Sequence, residues 1–158
     1  SGDDGMTHQM LSDPDIAAAG VISVVSNIAP KAVGDMVRYF KAGRPEAAQV
    51  LNTALAPLFG LVTIKTTEET EFGQVACRAR NPLGIKTLMQ ILGMPSGPCR
   101  QPLGRMTRKG LEVVLSAARK VWTETPEILQ PAADFFNLDI TTRLGDPANW
   151  RQLFYETY

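Results

Sequence analysis

The run Gly20-Val21-Ile22-Ser23-Val24-Val25 constrains this chain more than any other stretch. It is rich in β-branched residues and continuous rather than alternating, the pattern of a strand buried on both faces of a parallel sheet. Such a strand needs sheet neighbours on both sides. The rest of the 158 residues hardly offers one, because it reads as six or seven helices. The strand and the helix after it therefore read as part of a parallel sheet whose other strands lie elsewhere.

The helices follow from spacing and punctuation. Asp3-Asp4-Gly5 reads as a turn leading into a short helix, with Asp4 as its cap. Asp13-Pro14 starts a second short helix that reaches Ala19 and stops at Gly20. A helix opening near Pro30 carries Val33, Met36, Val37 and Phe40 and closes at Gly43. Pro45 starts a long amphipathic segment to about Ile64, with Pro57 placed to kink it. Residues 65–80 are polar and partly β-branched, and their type stays open. Pro82 to Leu92 is a compact helix, and Gly93 to Arg105 is loop. Thr107 caps a helix from Arg108 to Trp122, and Pro126 starts a shorter one to about Phe136. The tail from Asn137 is loop-like, with a final helical turn at Trp150 to Tyr155.

Composition closes off several functions. Sixteen basic and sixteen acidic residues leave no net charge, which argues against a nucleic-acid or anionic-membrane partner. No apolar run approaches the ~20 residues of a membrane span, and no signal-peptide pattern is present. Cys77 and Cys99 are too few for a disulfide framework; a reduced, cytoplasmic setting is the simplest reading, with a Cys77–Cys99 bridge as the alternative. His8 is the single histidine, so no metal cluster and no Ser-His-Asp or Cys-His scheme is readable. His8 itself reads as a solvated or locally bonded loop residue. Asp3 and Asp4 are paired carboxylates by sequence, yet capping and turn formation are the commoner use of Asp-Asp-Gly. Lys31, Lys41, Lys65, Lys86, Lys109 and Lys120 fall in helices or polar segments. A Schiff-base lysine needs a desolvated pocket or a nearby cation, so each reads as a surface lysine.

Longer motifs carry a resemblance. Ser1 to Asp4 (SGDD), a helix, and GVISVVSN followed by the helix near Pro30 resemble the last two βα units of the dihydrodipicolinate synthase family of pyruvate-dependent class I aldolases. Asn81 to Lys86 (NPLGIK) is similar to that family's Asn-Pro-x-x-x-Lys segment, and Cys99 to Thr107 (CRQPLGRMT) to the stretch before its last long helix. Related aldolases such as N-acetylneuraminate lyase share the fold and the lysine chemistry but match these motifs less well. The resemblance runs from Ser1 to about Trp122. Three features depart from it: a longer segment at Asp13 to Ala19, an insertion within residues 65–80, and a longer tail.

The resemblance implies an α/β parent, a (β/α)8 TIM barrel, of which this mostly α chain is the C-terminal part. Residues 1–43 would be the end of the barrel, with the end of strand seven, strand eight and its helix; residues 44–158 would be the C-terminal helical region. It implies a lyase of the diaminopimelate route of lysine biosynthesis, condensing pyruvate with aspartate semialdehyde through a lysine Schiff base, with no cofactor and no metal. The Schiff-base lysine and the proton-relay tyrosine are expected upstream of Ser1, so the chain is expected to hold no catalytic residue and to be inactive alone. Gly2, where a missing side chain leaves room for substrate, and Ile22, through its backbone carbonyl, are the expected substrate-binding residues. Their plain alternatives are a turn glycine and a core strand residue. Lys86 matches a family position in the helical region, away from the chemistry. The expected partners are the missing N-terminal half or a second copy of the chain, because strand eight would keep an open apolar edge. Two other functions compete: a helical interaction or assembly module, and one half of a two-chain enzyme.

Overall fold

Apolar spacing decides where the helices lie and which faces they bury. The computed structural model describes residues 1–157. Helix α1 spans Thr7–Ser12, α2 Pro30–Lys41 and α3 Pro45–Phe59. Both longer helices begin with proline, whose fixed φ and missing N–H suit a first helical position. Helix α2 buries Ala32, Val33 and Met36, and α3 buries Ala48, Leu55 and Leu58. These faces pack together, joined by a turn in which Gly43 adopts a φ of +69°.

A 3-10 turn at Gly60–Val62 ends α3, and the chain enters an antiparallel hairpin of β1, Thr63–Thr70, and β2, Gly73–Arg80. The register pairs Thr63 with Arg80 and Thr70 with Gly73. Helix α4, Leu83–Leu92, follows and is stopped by Gly93 in the left-handed region. Helix α5, Arg108–Glu124, forms the spine of the fold. It buries Leu111, Val114, Leu115, Ala118 and Val121 and touches α3, α4 and β1. Thr107 caps it as expected, its Oγ1 accepting the Gly110 N–H at 3.1 Å. Helices α6, Gln130–Phe136, and α7, Ile140–Gly145, follow, and α7 packs on α4 and α5. One apolar cluster runs through all of this, from Val25 to Phe154.

Several expectations change. Residues 20–23 form no strand buried on two faces. Their only ladder partner among the described residues is Ser1, and Ile22 is 85% exposed. A doubly buried strand requires flanking strands, and none lies beside it among the described residues. The helix expected at Asp13 to Ala19 is absent. The Asp13 carboxylate accepts the N–H groups of Asp15 (2.9 Å) and Ile16 (3.4 Å), and Ala17 takes a φ of +49°. Such local side-chain bonding offers the backbone a turn in place of a helix. The long segment expected to reach Ile64 ends at Phe59, and the open segment at 65–80 belongs to the hairpin. The tail holds α7 and 3-10 turns at Pro147–Asn149 and Arg151–Leu153. It is tied back by Met106 N–H to the Leu153 carbonyl (3.1 Å) and Tyr155 N–H to the Met106 carbonyl (3.0 Å).

Candidate functional site

Backbone contacts assemble the corner that holds both predicted binding residues. The Ser1 nitrogen donates to the Gly20 carbonyl at 2.7 Å, and the Ile22 N–H donates to the Ser1 carbonyl at 2.8 Å. This is the bonding of a parallel ladder, so Ser1-Gly2 and Gly20–Ile22 run side by side.

Asp4 locks that pairing from beneath. Its Oδ2 accepts the N–H groups of Val24 at 2.9 Å and Val25 at 3.1 Å. At 5% exposure the carboxylate is held by two backbone dipoles rather than by a cation, and charge-assisted bonds of this kind are the strong ones. The cap of the first turn is not Asp4 but Asp3, whose Oδ1 accepts the Met6 N–H at 3.2 Å. The two carboxylates thus serve different partners and make no acid/base pair.

Gly2 sits between two clefts. The first, about 610 Å3, is lined by Gly2, Ile22, Ser23, Asn27, Asn81 and Lys86 among others. The second, about 490 Å3, is lined by Gly2, Asp3, Asp4, Asn52 and Phe59 among others. A Cβ on Gly2 would meet nothing within 4 Å, so its missing side chain leaves open room rather than relieving a clash. The clefts differ in charge: Lys86 is the one ionisable side chain lining the first, whereas Asp3 and Asp4 line the second.

No lysine is buried among the described residues. Lys31 pairs with Asp35 and Lys120 with Glu124, each at 2.8 Å, and Lys109 donates to the Thr67 carbonyl. None has the desolvated setting a Schiff-base nucleophile needs. No group of three or more potential metal ligands occurs among the described residues. Both cysteines are free thiols. His8 is not in a loop: it lies on α1, with its ring edge-on to Phe40 at 6.4 Å. The Asp139 carboxyl is shifted by its cap contacts. Asp139 caps α7, and the hydroxyl and N–H of Thr142 hold its pKa below the ordinary carboxylate value of 3.8.

Sequence reasoning gave Asp4 only a local capping role and did not bring Asn81 or Lys86 to this corner. Asp4 reaches backbone twenty positions away, which no local pattern announces. Asn81 and Lys86 belong to a motif that was legible, with Lys86 expected in the helical region. The structure sets both on the wall that Gly2 and Ile22 share. Helix α4 brings them there because Gly84 lets it approach the Gly60–Val62 turn closely.

Known proteins resemble this chain in sequence and in fold. The model of the dihydrodipicolinate synthetase family matches residues 1–120. The 4-hydroxy-tetrahydrodipicolinate synthase of Methanothrix thermoacetophila is 39% identical over 107 residues, 68% of this chain and 30% of its own length. That of Moorella thermoacetica is 33% identical over 120 residues, 76% of this chain and 35% of its own. The solved structure of the synthase from the methanotroph Methylacidiphilum fumariolicum superposes with a TM-score of 0.60 at 28% identity, covering 82% of this chain and 38% of that one. The chain spans about a third of the length of the relatives it matches. These neighbours are TIM-barrel proteins, and the mostly helical fold described above corresponds to part of one.

Proposed function

Because the chain belongs to the dihydrodipicolinate synthetase family, we propose that it acts as the C-terminal part of a 4-hydroxy-tetrahydrodipicolinate synthase. The whole enzyme would be a cytoplasmic lyase that condenses pyruvate with aspartate semialdehyde on the way to lysine. In this reading Gly2 and Ile22 line the pyruvate pocket, Gly2 by leaving space and Ile22 through its backbone carbonyl. The Schiff-base lysine and the proton-relay tyrosine come from polypeptide outside the 158 residues, and the chain alone does not turn over. The observation that carries the proposal is the pairing of Ser1-Gly2 with Gly20–Ile22, which sets both residues on one cleft.

A partner follows from the same corner. Ile22 is 85% exposed beside one two-bond ladder, and an uncovered apolar edge invites pairing. The remainder of the barrel is its proposed cover, with self-association as the fallback when that segment is absent. The test combines trapping and weighing. The chain is treated with pyruvate and borohydride, alone and mixed with the complementary portion of the Methanothrix thermoacetophila synthase, and every species is weighed intact. The expected result is a 17.2 kDa chain that stays unmodified, with the mass of one reduced pyruvate on the complementary portion and condensation activity only in the mixture. An adduct on this chain would overturn the placement of the nucleophile. A mixture that neither assembles nor condenses would overturn the proposal.

A further inference from the structure

The cleft shared by Gly2 and Ile22 carries a single cation and no carboxylate among its lining residues. That cation, Lys86, makes no ion pair among the described residues. Its position is nonetheless defined. Lys86 is the fourth residue of α4, and its Nζ donates to the Pro98 carbonyl at 3.1 Å. The Ser96 hydroxyl returns a bond to the Lys86 carbonyl at 3.4 Å. The loop that carries Ser96 lines the same cleft, so these two bonds tie the loop and the ammonium to one wall. An ammonium has three N–H donors, and the Pro98 carbonyl takes one. Two donors remain on a residue that lines the cleft.

The distances favour an effect. A sphere of about 610 Å3 is roughly 10 Å across, close to one Debye length at physiological salt. A charge on the wall is therefore felt throughout the cleft. The second cleft, with Asp3 and Asp4, would repel the same anion, so a carboxylate approaching Gly2 is drawn to one side.

We propose that Lys86 is a positioning residue for small carboxylates, drawing a 2-oxo acid such as pyruvate into the Gly2–Ile22 cleft by charge without taking part in bond making. The identity of the carboxylate rests on the aldolase reading above; the binding itself does not. The first experiment therefore needs no turnover. The 158-residue chain is titrated with pyruvate, and the backbone amide shifts of Gly2, Ile22 and Ser96 are followed by NMR. Wild type and Lys86→Arg should show the three shifting together. Lys86→Gln keeps a donor for the Pro98 carbonyl but loses the charge, and should bind about 3- to 10-fold more weakly, a difference that fades in high salt. No common shift in the wild type, or equal shifts in Lys86→Gln, overturns the proposal. In the assembled synthase the same variant should raise KM for pyruvate by a similar factor and leave kcat unchanged. An assembly that is inactive while the amide shifts persist refutes the aldolase reading and leaves the role of Lys86 standing. An active assembly whose KM and salt dependence ignore Lys86→Gln does the reverse.

Discussion

Two helical glycines should respond in opposite directions to the same substitution. At Gly84, in the first turn of α4, a Cβ would lie 2.3 Å from the Leu61 carbonyl oxygen and 3.2 Å from Ile64 Cδ1. An ordinary carbon–oxygen contact is about 3.3 Å, so the backbone would have to part by about 1 Å. Little can give way, because Leu61 is 1% exposed and Ile64 is 4% exposed. Alanine gains about 0.5–1 kcal/mol over glycine from helix propensity. Overpacking against rigid neighbours costs about 1–3 kcal/mol, and a backbone clash belongs at the upper end. Gly84→Ala should therefore lose about 2 kcal/mol net. At roughly 2–4 °C per kcal/mol for a chain of this size, Tm should fall about 4–8 °C. Gly34, exposed on α2 with nothing within 4 Å of its Cβ position, feels only propensity, so Gly34→Ala should gain about 0.5–1 kcal/mol. Urea denaturation with unchanged m-values reads both. A Gly84→Ala variant as stable as wild type, or a destabilised Gly34→Ala, would refute the argument from close approach.

Asp4→Ala strands the N–H groups of Val24 and Val25 and should cost about 2–4 kcal/mol, with Asp4→Asn costing less; amide exchange at Val25 reports it. Gly2→Ala should leave stability within about 0.5 kcal/mol, since its Cβ meets nothing, yet it should raise KM for pyruvate in the assembled synthase. Unchanged kinetics would remove Gly2 from the pocket. The Asp139 carboxyl is lower in the folded chain than its ordinary value of 3.8. Its contribution to the α7 cap is therefore complete above that value and is lost as pH falls through the depressed one. A side-chain NMR titration should find its midpoint below 3.8, and Thr142→Val should move that midpoint upward.

What the sequence disclosed divides by range. Helices α2, α4 and α5 were legible because proline starts, glycine stops and the Thr107 cap act within a few residues. The hairpin was not, because β1 turns Ile64, Thr66 and Glu68 inward, and only the first of these looks like a core residue. Asp13-Pro14 gave a sound helix-start signal, but the Asp13 carboxylate spent its oxygen on a turn. At the site, Gly2 and Ile22 came from motif resemblance and do share a cleft. The Asp4 bonds and the arrival of Lys86 could not be read, since each joins positions far apart in the chain through tertiary packing.

The hairpin departs from and returns to almost one point, since Thr63 and Arg80 are direct cross-strand partners. Closing a loop of twice the length adds only about 0.6 kcal/mol, so material can be added at its outer end without re-spacing α3 and α4. Phe72 at that end is 87% exposed. The turn is thus a natural port for a fluorophore or an affinity handle, and evolution could resize it while leaving the carboxylate cleft untouched.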